Sequence, residues 1–226
     1  MICTLKTINM FQRRKDIVYV ILAGIFITNA LVAELIGGKL IYIGDVVMSL
    51  GILPWPIVFI TTDLINEYFG EKGVKKLSFI TAGLIAYTFF LLLIGLQIPA
   101  VKGDGLITDK QFSAVFGQSM WIIVGSITAF LVSQLIDVTI FHFVKNRTGK
   151  KMIWLRSTGS TVISQFFDSF IVLGIAFWLP GKIDTKMFVA SALTGYTVKL
   201  LIAVGLTPFI YLGHYLIEKY LAKDGK

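Results

Sequence analysis

Charge is scarce in this chain. Only 15% of its 226 residues are Asp, Glu, Lys or Arg, against about 25% in an ordinary soluble domain, so an ordinary water-exposed surface is excluded. Cys3 is the single cysteine, which excludes an intrachain disulfide. The two histidines, His142 and His214, have no carboxylate or cysteine companions at metal-ligand spacing; they are read as interfacial and no metal is expected. Gly-x-x-x-x-Gly-Lys-Ser/Thr, His-Glu-x-x-His, Gly-x-Ser-x-Gly and Cys-x-x-Cys are all missing, so the chain carries no nucleotide-hydrolysing loop and no familiar hydrolase or redox motif. An intramembrane Ser/His or Asp/Asp hydrolase lacks a partner set. Neither an enzyme nor a cofactor is expected. Residues 1–16 are polar and basic, and the apolar run after them is too long for the core of a signal peptide.

What fills the chain instead is apolar. Hydrophobic residues make up 56% and the mean hydropathy is +0.81, arranged in runs long enough to cross about 30 Å of hydrocarbon. The expectation is an all-α integral membrane protein, one domain over residues 1–226. A bundle of six transmembrane helices covers 17–36, 41–60, 77–98, 119–143, 157–179 and 187–217, with the last tilted or ending along the interface. Residues 1–16 and 218–226 then form cytoplasmic tails.

The distribution of positive charge sets the orientation. Fifteen of the 21 Lys and Arg residues fall in the N-terminal segment, loop 2–3, loop 4–5 and the C-terminal tail, whereas the other side holds Lys39, Lys102, Lys110, Lys182 and Lys186. Positive loops stay cytoplasmic, so both termini are expected inside, and the net charge of +8 needs no nucleic acid to explain it. Trp121 and Trp178 near the outer boundary and Trp154 near the inner one suit an aromatic belt. Trp55 lies mid-span between Pro54 and Pro56, where the prolines imply either a simple kink or a broken helix lining a cavity.

Against this apolar background the ionisable residues stand out. Asp168 lies about 18 Å into the fifth span, and Lys199 about as deep in the sixth. A lone acid and a lone base at one depth invite an ion pair, since an isolated charge there costs several kcal/mol. Ser-Gln-x-x-Asp is written twice, at 133–137 and at 164–168, 31 residues apart on neighbouring helices. Within each pentad the Ser, Gln and Asp share one helix face, so Gln134 and Asp137 repeat the chemistry of Gln165 and Asp168. Asp63, Asn66 and Glu67 share another face, and Asn29, Arg156 and Tyr196 complete the polar set. Glu34 is either part of it or a rim ion pair with Lys39. The amides could also be interhelical glue, and Asp168–Lys199 a purely structural pair. As ligand groups, carboxylates and amides suit a planar heterocycle: a guanine-like edge offers a row of N–H donors to a carboxylate, while an amide pairs with its carbonyl edge.

Four stretches in chain order, Pro56–Gly70 around Thr61-Thr62-Asp63-Leu64-Ile65-Asn66-Glu67, Ser133–Phe141, Trp154–Asp168, and Tyr196-Thr197-Val198-Lys199 followed by Thr207-Pro208, resemble the queuosine precursor transporter family, also called the vitamin uptake transporter family. The resemblance runs from about Asn29 to Tyr211. It implies a six-helix bacterial or archaeal inner-membrane importer of 7-cyano- or 7-aminomethyl-7-deazaguanine, or of queuine. The implied architecture is similar to the substrate-binding subunits of energy-coupling-factor transporters. Asp63, Gln134, Asp137, Arg156, Gln165, Asp168 and Lys199 match the family's polar positions, and Glu67 matches one branch of it. The partners so implied are the base and the bilayer. A homodimer, and a separate ATPase module as in the energy-coupling-factor systems, stay open as alternatives.

Overall fold

The computed structural model describes residues 14–43, 46–149 and 152–222. Cys3, most of the basic N-terminal stretch, Lys150, Lys151 and the last four residues lie outside them. The first helix, α1 (Arg14–Ile36), follows the expected span. The second departs from expectation. In place of a helix over 41–60, β1 (Leu40–Ile43) and β2 (Val46–Ser49) pair antiparallel, with Leu40 opposite Ser49 and Ile41 opposite Met48. The β-branched content of Ile41-Tyr42-Ile43 and Val46-Val47-Met48 favours an extended chain, and a short apolar run has no period that separates strand from buried helix.

A single 3₁₀ turn, Leu50–Ile52, is capped by Ser49, whose Oγ accepts from Gly51 N at 3.1 Å. It leads into α2 (Trp55–Gly95). Pro54 occupies the N-cap position and Pro56 the first turn. The missing proline N–H groups belong to donors that a helix start leaves unpaired in any case. The prolines thus begin this helix; they neither kink nor break a span.

A straight helix of 41 residues would be about 60 Å long, twice the hydrocarbon thickness. The chain avoids this at Gly70, whose φ of 74° and ψ of 178° are non-helical. Side chains with a Cβ rarely adopt a positive φ. The contacts on either side show what the break does. Trp55, before it, packs with Phe130 in the middle of α4 (Met120–Thr148). Glu67 meets Lys145 at the far end of α4, Phe69 meets Tyr19 near the start of α1, and Gly95 ends against Phe112 of α3 (Asp109–Phe116). The chain therefore descends from the hairpin end to Gly70 and returns. Five apolar stretches are long enough to span a membrane, and the one that folds back at Gly70 makes the bundle cross six times.

α4 and α5 (Ile153–Leu173) pack more extensively than any other two helices. Close approach needs Gly125: a Cβ there would lie 3.2 Å from Ala176 N and 3.3 Å from Val172 O. At that contact α5 widens into one turn of π-helix, Gly174–Trp178. The expected span over 187–217 is two helices, α6 (Thr185–Gly205) and α7 (Thr207–Leu221). Pro208, which lacks an N–H for the i−4 carbonyl, stands in the first turn after the break. α7 lies across the Gly70 end, where Gly213 approaches Leu64 and His214 meets Tyr68. Arg14 Nη1 donates to Tyr220 O at 3.0 Å, so the first and last described helices share that end. A core built on Phe26, Val58, Ile65, Ile85 and Phe130 holds α1, α2 and α4 together.

Candidate functional site

Two cavities lie in line between the ends of the bundle. The larger, about 730 Å³, opens at the hairpin end among α1, the hairpin, α4, α5 and α6. The hairpin stands at its mouth: Leu40, Met48 and Ser49 line it. The walls are mostly apolar, with Trp55 on one side and the π-helical turn, through Phe177, on the other.

The floor is charged. Lys199 Nζ donates to Asp168 Oδ2 at 2.5 Å, and Ser133 Oγ donates to Asp168 Oδ1 at 3.4 Å. The side chains of Lys199 and Asp168 retain 17% and 12% exposure, so the pair is desolvated but within reach of a ligand. Glu34 lines the wall and accepts from Ser126 Oγ at 2.5 Å, while Gln118 Nε2 donates to Glu34 O at 2.9 Å. Glu34 makes no ion pair with Lys39, so the rim-pair reading is set aside. Ser169 also lines this cavity, with a buried Oγ that has no partner among the described residues.

Beneath the floor is a second, much smaller space of about 10 Å³, lined by Phe59 and Thr62 of α2, Ser133, Gln134 and Asp137 of α4, and Thr161, Ser164 and Gln165 of α5. That is room for about one water-sized probe. Asp137 Oδ1 accepts from Ser164 Oγ at 3.2 Å and from Thr161 Oγ1 at 3.4 Å. The two pentads are thus joined reciprocally: the serine of each donates to the aspartate of the other. The short α4–α5 connection makes the helices antiparallel, so a local two-fold axis relates Ser133–Asp168 to Ser164–Asp137.

The Gly70 end is closed by side chains. Ser157 Oγ donates to Asp63 Oδ2. Arg156, 1% exposed, pairs with Glu67 Oε2 at 2.8 Å and donates to Gly149 O at 2.7 Å. Lys145 reaches the same carboxylate oxygen at 3.0 Å. Asn66 is fully buried with no partner for either amide atom among the described residues, and Asp63 Oδ1 and Arg156 Nε are likewise unpartnered.

The polar residues singled out from the sequence are therefore distributed over three levels. Asp168 and Lys199 form the floor of the large cavity. Gln134, Asp137 and Gln165 line the small one. Asp63, Asn66, Glu67 and Arg156 fill the closed end. Asn29 and Tyr196 stand apart from these: Asn29 Nδ2 donates to Ile25 O of its own helix at 2.9 Å, and the Tyr196 ring meets Phe166 edge-on at 5.6 Å. Sequence reasoning left Glu34, Trp55, Ser126 and Ser169 off the binding set. Glu34 carried a usable signal, since it is a carboxylate inside the first apolar run.

The family model described as "putative vitamin uptake transporter" matches residues 49–213. A "probable queuosine precursor transporter" from Bacillus subtilis (strain 168) is 30% identical over 159 residues, 68% of this chain and 67% of that protein. A second protein of that description, from Haemophilus influenzae, is 27% identical over 131 residues, 57% of this chain and 51% of its own, so the match spans about half its length. No solved structure shows a significant match.

Proposed function

The chain belongs to the putative vitamin uptake transporter family, a family of multi-pass membrane transporters and not of enzymes, and on that premise we propose that it imports a queuosine precursor through the hairpin-end cavity. The cargo is 7-cyano- or 7-aminomethyl-7-deazaguanine or queuine. The observation that carries this is the Asp168–Lys199 pair on the floor of a cavity of about 730 Å³, a volume in the range that encloses small molecules. A deazaguanine lowered edge-first onto that floor meets complementary charge. Its ring N–H and exocyclic amine face Asp168, and its carbonyl oxygen faces Lys199. Trp55 and Phe177 line the walls, where aromatic faces suit a flat ring.

The basic loops support a cytoplasmic Gly70 end. The cavity then opens to the outside, and the buried ion pairs at the other end form a closed inner gate. In the empty site Lys199 neutralises Asp168; a bound base takes over part of each charge. Import requires the gate of Arg156, Glu67 and Lys145 to open while the hairpin end closes.

The test uses a strain that neither makes nor imports these bases but retains the later steps of queuosine synthesis. Each base is fed separately and queuosine is scored in tRNA. Wild type restores the modification, and Asp168→Asn and Lys199→Ala, expressed and inserted to the same level, do not. Import that persists in both variants overturns the assignment of the site.

A further inference from the structure

The small pocket beneath the floor has a composition of its own, and we infer that it is a site for one monovalent cation, a sodium ion or a proton held on Asp137. The argument starts from the local two-fold axis. Asp168 and Asp137 are exchanged by it, each accepting from the serine of the other pentad. Asp137 also accepts from Thr161 Oγ1, and the charge supplied to the two carboxylates differs. α6 supplies Lys199 to Asp168, whereas α2, which covers Asp137, supplies Phe59 and Thr62. Asp137 is 6% exposed, with no Lys, Arg or His in ion-pair contact among the described residues. A buried carboxylate without a counter-charge is costly at this depth.

The hydroxyls that line the pocket accept and do not donate into it. Thr62 Oγ1 donates to Val58 O at 2.8 Å, Ser133 to Phe130 O and Asp168, and Thr161 and Ser164 to Asp137. Each hydroxyl proton is committed, so the hydroxyls offer lone pairs to the pocket, beside the amides of Gln134 and Gln165. Gln134 Oε1, on a side chain 5% exposed, has no partner among the described residues and lines the same space. A cation is satisfied by acceptors alone. The volume of about 10 Å³ admits a small ion stripped of its water, with side-chain oxygens replacing the shell. A single carboxylate balances one charge. No group of three or more His, Cys, Asp or Glu side chains occurs among the described residues to hold a divalent metal.

Ionisable neighbours are few. Asp63 of α2 lies near enough to repel Asp137, with Arg156 of α5 beyond it, and Asp168 with Lys199 lies on the far side of Ser133. A cation here adds positive charge beside the floor, so its arrival and departure couple to that of the base. This coupling rests on the transport reading; occupancy of the pocket does not.

The experiment therefore omits the base. The purified full chain is titrated with NaCl against choline chloride at constant ionic strength, and thermal stability and bound ²²Na⁺ are recorded. A second arm without sodium counts protons taken up as pH falls. Sodium binding, saturable, lost in Asp137→Asn, weakened at least tenfold in Gln134→Ala and retained in Asp168→Asn, identifies the ion as sodium. No sodium binding, but one proton per chain fewer in Asp137→Asn and an unchanged count in Asp63→Asn, identifies it as a proton. If Asp137→Asn fails to insert, Asp137→Glu replaces it, with an altered affinity expected. Responses to both sodium and pH that match wild type in the Asp137 variant overturn the inference and leave a pocket that holds only water. Failure of the wild type to import any of the bases in the tRNA assay, with cation binding intact, refutes the transport reading alone.

Discussion

The two ends of the bundle hold similar side chains and treat them differently. At the hairpin end, one ion pair and one carboxylate face a large, mostly apolar space. At the Gly70 end, Asp63, Glu67, Arg156 and Lys145 are folded against one another, with Phe141 beneath the guanidinium at 5.8 Å. Yet the packed end holds more of the unmet hydrogen bonding, at Asn66, Asp63 Oδ1 and Arg156 Nε, against Ser169 Oγ at the open end. A network shaped only for stability would satisfy these atoms, because each unpaired buried group costs about 1–3 kcal/mol. Polar atoms left over in a closed arrangement are what a gate with a second arrangement requires. The open end shows the complement: an ion pair that is satisfied while empty and can exchange partners when filled.

The largest effect is expected where the open end is charged. Lys199→Met leaves Asp168 desolvated without its counter-ion and should cost about 3–5 kcal/mol, read as a lower melting temperature of the purified protein. Adding Asp168→Asn to it should recover most of that loss, because a neutral pair needs no solvation. Import should stay abolished in the double variant. An importing double variant would make the pair a structural strut and remove the distinction between the ends.

The closed end should give way next. Arg156→Ala removes one of the two cations on Glu67 and leaves Lys145 in place. We expect a loss of about 2–3 kcal/mol, below the full cost of breaking a buried pair. The sharper readout is access. In a Cys3→Ser background, a Thr62→Cys probe should react with a thiol reagent applied from the Gly70 end faster by at least tenfold when Arg156 is absent. An unchanged rate would mean that Arg156 holds the fold and gates nothing.

The fold-back at Gly70 follows. Gly70→Ala imposes a Cβ on a residue at φ 74°, ψ 178°, a region almost confined to glycine, and should destabilise by about 1–3 kcal/mol. A Cβ at Gly70 would meet nothing within 4 Å, so the effect would be conformational and not steric. A neutral outcome would show that the two arms of α2 separate by another route.

Much of this was legible in residues whose physics is local. The long apolar runs became α1, α4, α5 and α6, because twenty apolar residues in lipid have few alternatives to a helix. Asp168 and Lys199 could be paired from depth alone. The duplicated pentad announced two equivalent carboxylates, although their exchange of serines needed the antiparallel register of α4 and α5. The hairpin was not legible, because Ile41-Tyr42-Ile43 is as apolar as a helix and too short to show a period. With it went the mouth of the large cavity, which Leu40, Met48 and Ser49 line. Pro54 and Pro56 were ambiguous for a related reason: a proline that breaks a helix and one that starts a helix look alike until the preceding segment is known. The split between α6 and α7 was written at Pro208, inside a run otherwise apolar enough to read through.

The smallest expected effect on stability belongs to the experiment that decides which end is which. Lys72 and Lys102 are exposed residues on opposite sides of the bundle, so Lys72→Cys and Lys102→Cys should each change stability by less than about 0.5 kcal/mol. In a Cys3→Ser background and in intact cells, a membrane-impermeant thiol reagent should label position 102 at once. Position 72 should react only after permeabilisation. The physical basis is the charge bias of the loops, which acts during insertion and leaves no contact in the folded bundle to inspect. The reverse pattern would place the large cavity in the cytoplasm, with Arg156 and Glu67 outside. The protein would then be an exporter or an importer facing inward, and Arg156 would belong to the outer gate.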